Sequence, residues 1–125
     1  MKQVIFSEKA PAPIGPYSQA VQFKDLVFFS GQIALDPLSG QVVAGGVKEQ
    51  TEQVMKNIKA VLDAGKLGFE NIIKTTIFLT DMNDFGIVNE IYSKFFIKDP
   101  PARSTVAVAG LPKGVKVEVE ITAHR

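Results

Sequence analysis

Cysteine and tryptophan are absent from this 125-residue chain, histidine occurs once, and neither sign of charge dominates, with 14 Lys+Arg facing 13 Asp+Glu. The lack of cysteine excludes disulfides and a thiol nucleophile. With His124 as the single histidine, a zinc site of Cys and His ligands cannot be assembled within one chain. A serine triad built on Ser18, Ser30 or Ser104 would have to draw on that same histidine at the far end of the sequence. Metal-free chemistry is therefore the expectation. A net charge of +1 with lysines spread along the chain implies no partner, and it weighs against nucleic-acid binding by phosphate neutralisation. No apolar stretch reaches membrane-spanning length, and residues 1–7 lack the apolar core of a signal peptide, so a cytoplasmic, membrane-free protein is expected. Phosphate-cradling glycine motifs are missing too. Gly45-Gly46 has no following Gly-Lys-Ser/Thr, and Gly65-Lys66-Leu67-Gly68 falls at a helix end rather than before one.

What the chain does contain is an ordinary globular balance, 46% apolar and 22% charged. Its length suits a single domain over residues 1–125, one that removes roughly two thirds of its unfolded surface from water. Residues 10–16, with Pro11, Pro13, Gly15 and Pro16, exclude helix and central strand and read as a loop. Ser18 to Phe23 and Leu26 to Ser30 flank Lys24-Asp25 as a β-hairpin. Val47, Val54, Met55, Ile58, Val61 and Leu62 recur with helical period, predicting an amphipathic helix that ends near Gly65. A buried strand follows over Ile72 to Thr80, then a second helix from about Asn83 to Phe96 with Phe85, Val88, Ile91, Tyr92 and Phe95 toward the core, capped by Asp81 or Asn83. Strands Arg103 to Ala109 and Val115 to Ala123 close the chain, and residues 2 to 6 offer one more.

This order predicts an α+β fold in which two helices cover one face of a mixed sheet. Val27-Phe28-Phe29 and Ile77-Phe78-Leu79 are apolar on both faces, and two helices cannot cover both sides. Self-association is the expected cover.

Two groups carry candidate chemistry. Strand alternation sets Arg103 on one face with Thr105, Ala107 and Ala109, so a planar, fork-shaped donor sits beside small residues. That arrangement suits a small organic anion such as a carboxylate; an edge-strand ion pair with a surface Asp or Glu is the alternative. In the last strand Val115, Val117, Val119 and Ile121 alternate with Lys116, Glu118, Glu120 and Thr122. The polar row is either a solvated face or a source of a carboxylate that orients water beside the bound anion. A hairpin register centred on residues 110–114 puts the glutamates on the Arg103 face, with Glu120 near Thr105 and Glu118 near Ala107.

Taken in order, the segments Gly15-Pro16-Tyr17-Ser18-Gln19-Ala20, Ser30-Gly31-Gln32-Ile33, Asn57-Ile58-Lys59-Ala60-Val61-Leu62, Lys74-Thr75-Thr76-Ile77-Phe78-Leu79, Asp84-Phe85 with Val88-Asn89, Pro101-Ala102-Arg103-Ser104 and Val117-Glu118-Val119-Glu120 span almost the whole chain. Together they resemble the RidA/YjgF family of reactive-intermediate deaminases, a family also described as endoribonuclease L-PSP or translation inhibitors. The resemblance implies a chorismate-mutase-like α+β fold assembled as a homotrimer with clefts between subunits. It implies hydrolysis of 2-iminobutanoate and 2-iminopropanoate to 2-oxo acids and ammonia, with no cofactor.

By the same resemblance Arg103 is the carboxylate clamp and Glu118 orients the attacking water, in place of the Glu120 that the hairpin register favours. Tyr17, Ser30, Gly31 and Asn89 would line the cleft, and Thr105 would contribute its backbone. Many relatives carry cysteine where Thr105 stands, so any thiol-dependent regulation does not transfer. Two other functions are compatible with the residues: a single-strand endoribonuclease or translation inhibitor, which needs a basic groove, and a non-catalytic binder of small carboxylates, which needs Arg103 but not Glu118.

Overall fold

The computed structural model describes residues 1–125. Six strands form one sheet: β1 (Gln3–Ile5), β2 (Ala20–Phe23), β3 (Leu26–Phe29), β4 (Ile72–Leu79), β5 (Ala102–Ala107) and β6 (Val117–His124). Their spatial order is β1-β2-β3-β6-β4-β5. All neighbours are antiparallel except β4 and β5, which run parallel at one edge. Helices α1 (Val47–Ala64) and α2 (Phe85–Ser93) cover one face, giving the α+β architecture the sequence predicts. No helix is long and apolar enough to cross a membrane.

Local chemistry accounts for most boundaries. Lys24 turns the β2–β3 hairpin with φ 55°, a left-handed conformation that shortens the connection to two residues. The start of α1 is fixed by Glu49, whose carboxylate accepts the Gly46 N–H at 2.9 Å. Val54, Met55, Ile58, Val61 and Leu62 form its buried stripe. The predicted second helix is shorter than expected. Asp81 accepts from the Asn83 N–H and caps a 3-10 turn over Met82–Asp84, and regular α-helix begins only at Phe85. It ends at Ser93, after which Phe95 and Phe96 pack against Phe69, with ring centroids 5.0 and 5.7 Å apart.

The helix-covered face of the sheet holds Val27, Ile77, Leu79, Val117, Val119, Ile121 and Ala123, all buried with the inner sides of both helices. Burying side chains of this size removes apolar surface worth about 1.5–3 kcal/mol each from water. Two buried polar side chains also tie α1 to the sheet side of the molecule, and a third bonds back within the helix. Asn57 donates to the carbonyls of Ile33 and Leu35 at 3.1 and 3.0 Å, and Gln50 accepts the Lys116 N–H at 2.8 Å. Thr51 returns a bond to the Val47 carbonyl.

The other face is open. Phe28 is 46% exposed there, Leu26 and Val106 are exposed on the same face, and no helix lies over them. The accessible surface of the chain, 7107 Å², exceeds the roughly 6,600 Å² that area scaling gives for a compact protein of this mass.

One expectation is overturned. Strands β5 and β6 do not form a hairpin, because β4 lies between them and pairs with both. Residues 108–116 bridge over that strand instead of turning back directly. In register, Arg103, Thr105 and Ala107 pair with the buried Thr75, Ile77 and Leu79, whereas Glu118 and Glu120 pair with Phe78 and Thr76 on the opposite face. Arg103 and the glutamates therefore occupy different faces, and neither Glu118 nor Glu120 approaches Thr105 or Ala107 as hairpin partners.

Candidate functional site

The candidate residues fall into two groups. The first surrounds a cavity of about 450 Å³ on the open-face side, where Tyr17, Ser30, Gly31 and Glu118 meet Pro11, Ile14 and Ile33. β6 supplies Glu118 because the outward positions of this strand alternate with its buried valines. The chain leaving β3 supplies Ser30 and Gly31. That segment stays beside β6 through a bridge at Gln32, which exchanges backbone hydrogen bonds with Val119 at 2.8 and 3.1 Å.

Gly31 is required by proximity rather than by backbone angle. A Cβ there would overlap the Glu118 carboxylate. Ser30 donates its hydroxyl to the Ser18 carbonyl at 2.6 Å, which fixes the oxygen at the cavity wall. The Tyr17 phenol accepts from the Ile14 N–H at 3.4 Å, folding the exposed ring over its own loop. Burial, and then the neighbouring Glu120 charge, raise the Glu118 carboxyl above the ordinary carboxylate range.

The proline loop at this cavity is held by Gln19, a buried side chain that accepts the Ser7 N–H at 2.6 Å and donates to the carbonyls of Ser7 and Pro11 at 3.1 and 2.9 Å. Gln19 and Asn57 are structural members of the site that sequence reading did not single out. Their signal was a polar residue at a buried position, next to a loop whose backbone groups lack a ladder partner.

The second group lies at the β5 edge, on the helix side. Arg103 donates from Nη1 to the Asn89 Oδ1 at 2.7 Å. Its guanidinium carbon lies 5.0 Å from the centre of the Tyr92 ring and 5.4 Å from that of Phe85, within the range of cation–π attraction. A second cavity, of about 400 Å³, opens beside it, lined by Asn89, Tyr92, Ser93, Phe96, Pro100, Pro101 and Arg103.

Arg103 makes no ion pair. The chain's one salt bridge joins Lys59 and Asp63 at 2.9 Å on the outer side of α1, so the edge-strand ion pair is not formed. Tyr92 and Phe85, which periodicity assigned to the core, also form this aromatic cradle. Phe85, Asn89 and Tyr92 stand at i, i+4 and i+7 on one helix stripe, so an asparagine in an apolar stripe was the available clue.

Thr105 lies between the core and the edge, and its hydroxyl oxygen is buried without a hydrogen-bond partner. No cluster of three His, Cys, Asp or Glu side chains converges on a possible metal position. The arrangement thus offers an unpaired cationic fork with an aromatic cradle and, separately, a carboxyl of raised proton affinity at a mostly apolar cavity. The structure brings Tyr17, Ser30, Gly31 and Glu118 together, and Arg103 with Asn89, but within one chain it does not bring these two groups to each other.

Comparison with known proteins gives the same picture along the whole chain. Residues 7–125 match the family described as endoribonuclease L-PSP. The chain is 52% identical over 123 residues to the 2-iminobutanoate/2-iminopropanoate deaminase of Mus musculus, covering 98% of this chain and 91% of that protein. Among solved structures, a conserved Rid family protein from Yersinia pestis superposes with a TM-score of 0.97 at 46% identity, covering both chains completely. E. coli TdcF with bound serine superposes with a TM-score of 0.93 at 44% identity, covering 98% of each chain.

Proposed function

The chain belongs to the endoribonuclease L-PSP family, which includes the RidA proteins, and from that membership we propose that it hydrolyses reactive 2-imino acids, such as 2-iminobutanoate and 2-iminopropanoate, to 2-oxo acids and ammonia. The observation that carries this reading is Glu118, a half-buried carboxyl of raised proton affinity against Gly31 at the wall of a cavity.

An imine carbon is already electrophilic, so the reaction needs an oriented water and modest proton transfer, with no cofactor of the protein's own. Arg103 would grip the substrate carboxylate bidentately, through donors left free by the single bond to Asn89. Water held by Glu118 would attack the imine carbon. As the new C–O bond forms, the C=N π pair moves to nitrogen and the water proton passes to Glu118. From a protonated imine this gives a neutral carbinolamine, which then collapses: the proton on Glu118 passes to nitrogen, the C–N bond breaks, ammonia leaves, the C=O bond forms and the hydroxyl proton goes back to the Glu118 carboxylate. Serine bound to TdcF supports recognition of small carboxylates by this fold.

Because Arg103 and Glu118 occupy opposite faces, this reading draws the two from different copies of the chain. Arg103 and Asn89 of one would close the cavity that Tyr17, Ser30, Gly31 and Glu118 form in the next, with Thr105 supplying backbone. The open apolar face supports such an assembly, which we take to be the homotrimer of the family resemblance.

The test is release of ammonia or 2-oxobutanoate from 2-iminobutanoate generated in situ by a threonine dehydratase. Wild type should accelerate it, and Arg103→Ala and Glu118→Ala should each abolish the acceleration. A folded wild type without effect on the rate would sink the reading. A Glu118→Ala protein that keeps the full rate would remove Glu118 from its assigned role, and a wild type that binds 2-oxobutanoate without turnover would leave a carboxylate binder.

A further inference from the structure

The clamp reading of Arg103, on which this inference rests, poses a physical difficulty, since Arg103 is an exposed side chain on the outermost strand of the sheet. A free arginine at such a position samples many rotamers and loses that freedom when it seizes an anion, which weakens binding. One hydrogen bond to Asn89 fixes a single donor and leaves the plane of the guanidinium free to turn about it.

The ring of Tyr92 supplies the missing restraint. It lies 5.0 Å from the guanidinium carbon and is itself packed against Phe96 at 4.6 Å between centroids. Its hydroxyl meets the Thr75 hydroxyl at 2.8 Å. Thr75 is fully buried in the interior strand β4, and it pairs in register with Arg103. Tyr92 is the only hydrogen-bond partner of the Thr75 hydroxyl. The backbone that carries the guanidinium is thus coupled to the side chain that anchors the ring beneath it.

We propose that Tyr92, anchored by Thr75, is a positioning residue that holds the Arg103 guanidinium in the orientation that receives a carboxylate.

The experiment measures ¹⁵N relaxation of the Arg103 Nε–Hε group by NMR and titrates 2-oxobutanoate, an unreactive carboxylate, on the same signal. Tyr92→Leu, which removes the ring, should raise Nε–Hε mobility sharply and weaken 2-oxobutanoate by about tenfold. In turnover, KM should rise by a similar factor with kcat changed by less than about twofold, as expected when binding common to ground and transition states is lost. Tyr92→Phe and Thr75→Val remove the same hydrogen bond, so each should give the same intermediate loss, about twofold to threefold.

Unchanged Arg103 mobility or affinity in folded Tyr92→Leu would overturn the proposal. If Tyr92→Leu does not fold, Thr75→Val decides, and an unaltered Nε–Hε signal there overturns it as well. Wild type that binds 2-oxobutanoate but hydrolyses no imine would refute the deaminase reading alone, because the mobility and affinity changes are read without catalysis.

Discussion

Arg103 and Glu118 project from opposite faces of one sheet, on strands separated by β4, so no rotamer change within a single chain can bring them to a common substrate. The proposed reaction then has a signature that ordinary mutagenesis lacks. Arg103→Ala and Glu118→Ala should each be inactive alone. When the two are unfolded together and reassembled, about a quarter of the seams would combine an intact Arg103 with an intact Glu118, by random association of copies. Recovery of about that fraction of wild-type rate in the ammonia assay is expected. No recovery from correctly assembled mixtures would refute a site shared between Arg103 of one copy and Glu118 of another.

Gly31→Ala tests the closeness of the backbone to Glu118. The added methyl would displace a carboxylate that is the free end of a side chain, so the fold should survive while the water-orienting group moves by a fraction of an ångström or more. A drop in kcat of about 10–100-fold with a nearly unchanged Tm is expected. Steady-state kinetics beside a thermal melt checks it, and a fully active variant would remove Glu118 from its assigned role.

The raised proton affinity of Glu118 fixes the sign of two pH effects. Water activation needs the carboxylate, so the rate should fall on the acid side at a pH above the ordinary glutamate value. Glu120→Gln removes the like charge that contributes to the shift and should move that limb to lower pH. Stability follows the same logic. In the interval between the unfolded and the raised folded value, the folded chain binds the proton more tightly, so Glu118 favours folding at low pH and that contribution is lost as pH rises through the folded value. Glu118→Gln should therefore raise Tm at pH 7 and raise it less at pH 4, by an amount that solvent screening of this half-exposed group keeps small.

Thr105 carries a buried hydroxyl without a partner, a group whose desolvation costs about 1–3 kcal/mol. Thr105→Val keeps the shape and removes the orphan, so it should raise Tm. If residue 105 contributes only its backbone to the substrate, kcat/KM should stay within about twofold of wild type. A large loss of activity would assign the hydroxyl a contact that the isolated chain does not show.

How far the residues foretold the structure depends on the range of the interaction involved. The α1 stripe, the β2–β3 hairpin and the alternation of β6 are local patterns, and they were legible because a periodicity of 3.6 or 2 is written in adjacent residues. The placement of β4 between β5 and β6 is not local. The stretch from residue 108 to 116 contains the glycines and proline of a turn, yet it is longer than a hairpin loop, and its length was the clue that a strand could intervene.

The candidate site was legible in the same uneven way. Family resemblance supplied the identities of Tyr17, Ser30, Gly31, Asn89, Arg103 and Glu118, and their partition between two faces emerged only with the strand order. Phe85 and Tyr92 were read as core because apolar periodicity cannot distinguish a ring that packs from a ring that packs and also carries a guanidinium.

The position of β5 at the rim of the sheet has a colloidal consequence. Its outer side presents unpaired N–H and C=O groups, and the strand Ala102–Ala107 is otherwise uncharged, with Thr105 and Val106 favouring extended structure. Arg103 is its only charge. Such rims template fibril growth unless a charge or a proline interrupts them, and here Pro100 and Pro101 precede the strand while Arg103 interrupts it. The side chain assigned to recognition is thus also a gatekeeper against edge-to-edge stacking. A neutral replacement exposes the strand to precipitation as well as to loss of turnover, and Arg103→Lys, which keeps the charge but loses the planar fork, is the better choice for separating the two.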